Sequence, residues 1–123
     1  FYENGVHRAL VKNYGDLFHQ SMTFDEFAEA VCSIPDEIAE DHFRSQHTFI
    51  THRGNLIVDH VGKLENIDEE WAHICANINI DNKLDNINVS SNSGGYKDYY
   101  TKELIAKVAE RYQKDIEMFE YEY

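Results

Sequence analysis

Positive charge is what this chain has least of. Lys and Arg number 11 against 23 Asp and Glu, a formal net charge of -12. A nucleic-acid binder needs the opposite balance, since phosphates are neutralised by Lys and Arg, so DNA and RNA are excluded as partners. Cysteine is almost as scarce. Cys32 and Cys75 are the two present, too few for a disulfide framework and spaced like neither a CxxC motif nor a zinc site. Both fall on apolar helical stripes and read as buried thiols, with a bridge as the alternative. No apolar run approaches the roughly 20 residues that span a bilayer, and no membrane-spanning segment is expected. There is no initiator Met and no basic-then-apolar leader ahead of Phe1, so the chain reads as truncated at its start. Its 123 residues suit a single domain over 1–123 with one core.

What is present is mostly helical periodicity. Val6, Leu10, Val11, Tyr14 and Phe18 recur at spacings of three and four, which predicts an amphipathic helix from Tyr2 to Phe18. Thr23 followed by Glu26 forms a capping box ahead of the stripe Phe24, Phe27, Ala28, Val31 and Cys32, a helix expected to stop near Ser33. Pro35, the one proline, precedes Asp36 and Glu37 and predicts the first turn of a short third helix. At His47 the character changes. Thr48 to Thr51 and Leu56 to Val61, separated by His52, Arg53, Gly54 and Asn55, predict a β-hairpin.

Asn66, with Glu69 three residues on, predicts a second capping box opening a helix with Ile67, Trp71, Ile74, Cys75 and Ile78 on one face. Residues 79–100 form a long polar loop, rich in Asn and Ser up to Gly95. Thr101 then caps one continuous final helix with Leu104, Ile105, Val108, Ala109, Tyr112, Ile116 and Phe119 inward.

Seven histidines raise a metal reading. His47 and His52 flank a predicted strand and would face opposite sides, so no metal site is assigned. Asp68 to Glu70 are acids that favour a helix start. Asn88, Val89 and Ser90 form a glycosylation sequon, meaningful in a secretory setting alone.

From Phe24 onward the chain resembles carbohydrate-type, PAPS-dependent sulfotransferases and their bacterial relatives. Three ordered stretches carry the resemblance: Asp41, His42, Phe43, Arg44, Ser45 and Gln46 within FDEFAEAVCSIPDEIAEDHFRSQHTFI; Asp59, Gly62, Lys63, Glu65 and Asn66 within LIVDHVGKLENIDEEW; and YKDYYTKELIAKVAERYQKDIEMFEYEY. The resemblance implies an α/β fold, here the C-terminal portion of a P-loop-like three-layer sulfotransferase, built mostly of helices with one short β-hairpin. It implies PAPS (3′-phosphoadenosine 5′-phosphosulfate) as sulfuryl donor and a carbohydrate hydroxyl or amine as acceptor. No Gly-rich loop ending in Lys and Ser or Thr is present, and no Arg-Asp-Pro or Arg-Asn-Pro segment. The N-terminal PAPS-binding half is therefore expected to be missing and the isolated chain inactive.

Sulfuryl transfer needs an acceptor held in line, a base for its proton, and positive charge at the leaving phosphate. His42 is the candidate base or acceptor-binding group, against a structural His bonded to backbone. Arg44 is a candidate clamp for a sugar carboxylate or sulfate, against pairing with Asp41 or Glu40. Gln46 joins Arg44 on the acceptor side by resemblance. Ser91, Ser93, Gly94, Gly95 and Lys97 are the candidate cofactor loop, offering hydroxyls, approachable backbone N–H groups and one cation. The alternative is a non-catalytic acidic module that binds a basic protein partner. An exposed apolar face is expected where a missing half would dock, with a second copy of the chain (a homo-oligomer) as the other cover. The compartment follows the source: cytoplasmic for a bacterial relative, the Golgi lumen for a eukaryotic one.

Overall fold

The computed structural model describes residues 10–85 and 95–122. They form two units, one drawn from Phe1–Ile50 and Gly95–Tyr123, the other from Thr51–Gly94.

In the first unit, residues 10–14 are helical and tighten into a 3-10 turn at Gly15–Leu17, so the predicted first helix ends just before Phe18. Helix α1, Phe24–Cys32, begins as expected: the Glu26 N–H donates to the Thr23 hydroxyl, and the Thr23 N–H donates to the Glu26 carboxylate at 2.8 Å. It ends with Ser33 as its C-cap. The core forms behind it from Leu10, Phe18, Ala30, Val31, Ile34 and Ala39, with Tyr14, Phe27 and Phe43 packed around. Phe18 sits at its centre, with ring centroids 5.6 Å from Phe27 and 5.9 Å from Phe43. Burying that side chain is worth about 1.5–3 kcal/mol.

The expected helix after Pro35 does not form. Residues 36–38 make a turn, with the Ile38 N–H on the Pro35 carbonyl. The chain's polar groups go elsewhere: the Glu40 N–H donates to the Tyr14 hydroxyl, which donates in turn to the Ile38 carbonyl. Asp36 is likewise held by distant partners.

Thr48 to Ile50, expected as strand, are helical in α2, His47–Ile50. Two side chains explain this. The Thr48 hydroxyl donates to the Ser45 carbonyl at 2.7 Å, and the Asp115 carboxylate accepts from the Gln46 and His47 N–H groups. The predicted final helix is two helices, α4 over Lys102–Arg111 and α5 over Gln113–Phe119. Tyr112, at φ -112 and ψ 25, leaves helical dihedrals between them, although its N–H still donates to the Val108 carbonyl and its carbonyl still accepts from the Ile116 N–H. Thr101 caps α4 as expected, accepting from the Leu104 N–H, and Leu104 is buried.

The second unit begins with the hairpin, β1 over Thr51–His52 and β2 over Asn55–Leu56, antiparallel, with Thr51 opposite Leu56 and His52 opposite Asn55. It is shorter than expected and its turn is two residues, not four. Arg53 at φ 51 and Gly54 at φ 80 give it the mirror-image turn whose twist suits paired strands. Helix α3, Ile67–Ile78, lacks the predicted capping box, because Leu64–Asn66 already winds a 3-10 turn and the Asn66 side chain makes no cap bond. Among the described residues of this unit Cys75 is buried, whereas Ile67 and Ile78 of the predicted inward stripe are exposed. Leu56, Ile57, Val58 and Val61 are exposed as well. Both cysteines are free thiols.

Candidate functional site

The densest polar network in the first unit surrounds residues 36–47, and it is tied down by α4 and α5. The Arg111 guanidinium spreads over four oxygens: Nε donates to the Ile34 carbonyl at 2.9 Å, and Nη1 to the Ser45 hydroxyl at 2.9 Å. Nη2 reaches the Asp36 carboxylate at 2.6 Å and the Phe43 carbonyl at 3.3 Å. Its planar fork is the reason Arg serves here and Lys would not. Asp36 also accepts the Ser45 N–H at 2.9 Å. Burial works against ionising Asp36, but the Ser45 N–H and the Arg111 guanidinium outweigh it and hold the carboxyl below its ordinary range.

Tyr112 follows Arg111 and lies under its guanidinium, 4.8 Å from charge to ring centroid. Its hydroxyl donates to the Phe43 carbonyl at 2.9 Å, and burial pushes the phenol above its ordinary value. One helical turn on, Asp115 accepts from the Gln46 N–H at 2.6 Å, the His47 N–H at 2.9 Å and the His47 ring Nδ1 at 2.7 Å. The sequence reading missed Asp36, Arg111 and Asp115. The available signal was the pair of charges at 111 and 115, one turn apart on a helix whose apolar face was already assigned.

This frame carries three of the expected residues on one bend. His42 points outward, its side chain 84% exposed. Glu40 holds its Nδ1 at 2.7 Å and accepts its backbone N–H at 3.2 Å. Arg44 donates to the Ala39 carbonyl at 3.0 Å, pairs with Asp41 at 3.3 Å and lies 5.6 Å over the Phe49 ring. Its Nε is buried without a partner among the described residues. Gln46 is exposed, and its backbone N–H is the group bound to Asp115.

Of the candidate cofactor loop, Ser91, Ser93 and Gly94 lie outside the described residues, as does the sequon at Asn88. Gly95 leads into a 3-10 turn, Tyr96–Tyr99, that carries Lys97, and both residues are exposed. Phe24 packs on this turn, 5.5 Å from the Tyr99 ring and 5.1 Å from the Tyr100 ring. A groove of about 470 Å³ opens between α1 and α4, lined by Glu29, Cys32, Ser33, Lys107, Glu110 and Arg111. Its two cations are already matched, Arg111 by Asp36 and Lys107 by Glu29. Neither cation of this groove is therefore left over for a phosphate group.

In the second unit the His60 ring Nε2 lies 2.6 Å from Glu70 and its ring centroid 4.8 Å from that of His73. Gly62 crosses Glu70 so closely that an added Cβ would come within 3.0 Å of that side chain. Among the described residues no three His, Cys, Asp or Glu side chains are placed to hold a metal.

A model of the Sulfotransferase family matches residues 4–122. No curated protein and no solved structure matches the chain.

Proposed function

Because the chain belongs to the sulfotransferase family, we propose that it supplies the acceptor side of an enzyme that moves a sulfuryl group from PAPS to a hydroxyl or amine of a carbohydrate. The single observation that carries the reading is the family match over nearly the whole chain. PAPS would supply the activated sulfuryl group when bound.

What the chain's own residues contribute is at the acceptor. Glu40, 2.7 Å from His42 Nδ1, favours the tautomer with the proton on that nitrogen, which leaves Nε2 with its lone pair outward. His42 in that state is a base for the acceptor proton, with Glu40 stabilising the imidazolium that forms. Arg44 and Gln46, on the same bend, are the groups to orient the sugar, and Arg44 would have to exchange Asp41 for an acceptor oxyanion. Gly95 and Lys97 remain the described part of the proposed donor loop.

The test is sulfate transfer from labelled PAPS to a panel of glycans, with the protein at its native length. Transfer to at least one glycan that disappears when PAPS is omitted supports the reading. Absence of PAPS binding by calorimetry rejects it, and favours the acidic interaction module suggested by the net charge of -12, whose partner binding should weaken as salt rises.

A further inference from the structure

The second unit holds a groove that the acceptor bend does not use. After α3 the chain reverses at Asn79, at φ 57, with the Asn79 and Ile80 N–H groups both on the Cys75 carbonyl. The following strap lies back along the helix. Its anchor is the Asn82 carbonyl, which accepts the Trp71 indole N–H at 3.0 Å and the Cys75 thiol at 3.8 Å. Between strap and helix is a space of about 660 Å³, within the range of small-molecule sites.

Its lining has a definite chemistry. Ala72 and Ala76 keep the helix wall thin, so the half-buried Trp71 ring is the large surface in the groove. With its N–H committed to Asn82, the indole is held in one orientation, and a ligand need not pay to order it. Asp68 and Asp81 line the same space and are exposed. Among the described residues neither makes an ion pair. Lys83 is the one cation in the lining, so the charge balance is two negative against one positive. The indole face offers a flat apolar surface on which a sugar ring can lie, and free carboxylates bind ammonium groups through charge-assisted hydrogen bonds. The same balance repels sulfate, phosphate and uronate groups.

We propose that this groove binds a protonated amino sugar, its ring against Trp71 and its ammonium group toward Asp68 and Asp81. The inference rests on the reading that the protein handles a carbohydrate, and it adds which kind: one carrying a free amine.

Trp71 is the sole tryptophan, so emission excited selectively at tryptophan, beyond tyrosine absorption, reports from the groove alone. At fixed pH and salt, glucosamine should change that emission saturably. N-acetylglucosamine, without the charge, should bind at least about tenfold more weakly, the scale of one charge-assisted bond. Tetramethylammonium, without ring hydroxyls or N–H donors, should be similarly weak. Asp81→Asn should weaken glucosamine severalfold while the urea unfolding midpoint stays put, and Asp68→Asn should weaken it as much with only the small midpoint loss of a first-turn acid. No saturable change up to about 10 mM, beyond the millimolar affinity scale, overturns the proposal. So does an equal response to glucosamine and either control, or wild-type binding in both Asn variants. Sulfate transfer is not part of the readout. Failed transfer with intact glucosamine binding therefore counts against the catalytic reading, and the reverse result counts against the groove.

Discussion

Asp115 and His47, separated by 68 residues, meet through a 2.7 Å bond from the His47 ring to the Asp115 carboxylate, with both side chains largely buried. The same carboxylate closes the N-terminus of α2. It therefore does in tertiary space what a local Ser or Asp does at an ordinary helix start.

Replacing Asp115 by Ala should strip acceptors from three donors at once. An expected loss of about 3 kcal/mol follows from leaving buried hydrogen-bonding groups unpaired. Urea unfolding at neutral pH measures it, and a loss below about 1 kcal/mol would show that water replaces the carboxylate without cost.

Acid should destabilise the protein partly through Asp36. Its folded carboxyl titrates below the ordinary value, because the Ser45 N–H and Arg111 favour the charged form more than burial opposes it. The folded state thus binds that proton less readily than the unfolded chain. This contribution is fully present above the unfolded pKa, about 3.9, and is lost as pH falls from there through the folded value. Asp36→Asn should flatten that part of the stability curve; an acid limb unchanged in the variant would assign it to other carboxylates.

Tyr112 predicts the opposite limb. Burial favours its neutral phenol, so its contribution is intact below the ordinary tyrosine pKa of about 10 and fades as pH rises through the higher folded value. Among eight tyrosines, Tyr112 should ionise late in an ultraviolet titration, and Tyr112→Phe should remove that late component. The variant also loses the bond to the Phe43 carbonyl, worth about 1 kcal/mol.

His42 and Glu40 give a kinetic prediction that rests on the proposed function. His42→Ala should lower kcat by roughly 10²- to 10⁴-fold, the span of a lost general base. Glu40→Gln should keep the fold and lower kcat by a smaller factor, since the imidazolium formed on proton uptake loses its carboxylate neighbour. A His42→Ala variant with wild-type kcat would reduce His42 to a surface residue.

Local rules read well where the physics is local. The Thr23–Glu26 box, the stop at Ser33 and the Thr101 cap each depend on groups within about four residues, and each is where the sequence places it. The Arg44–Asp41 pair is local too and was one of the two readings of Arg44. What could not be read were elements settled by distant partners. Thr48 to Ile50 has strand composition, but a carboxylate from α5 makes it helical. The apolar stripe from Leu104 to Phe119 runs unbroken through Tyr112, whereas the backbone turns there. Asp36 looked like a helix-start acid and is instead half of an ion pair spanning 75 residues.

The capping of α2 by Asp115 also sets an order of events during synthesis. At roughly 5–20 residues per second, the 68 residues between His47 and Asp115 take about 3 to 14 s to be made. Until then the Gln46 and His47 amides have no partner from α5, and the bend that carries His42 and Arg44 is without its lock. A nascent chain holding this sequence therefore passes through a window of seconds in which that bend is open to proteases and chaperones. A late-acting mutation in α5 should lengthen that window without touching the residues it exposes.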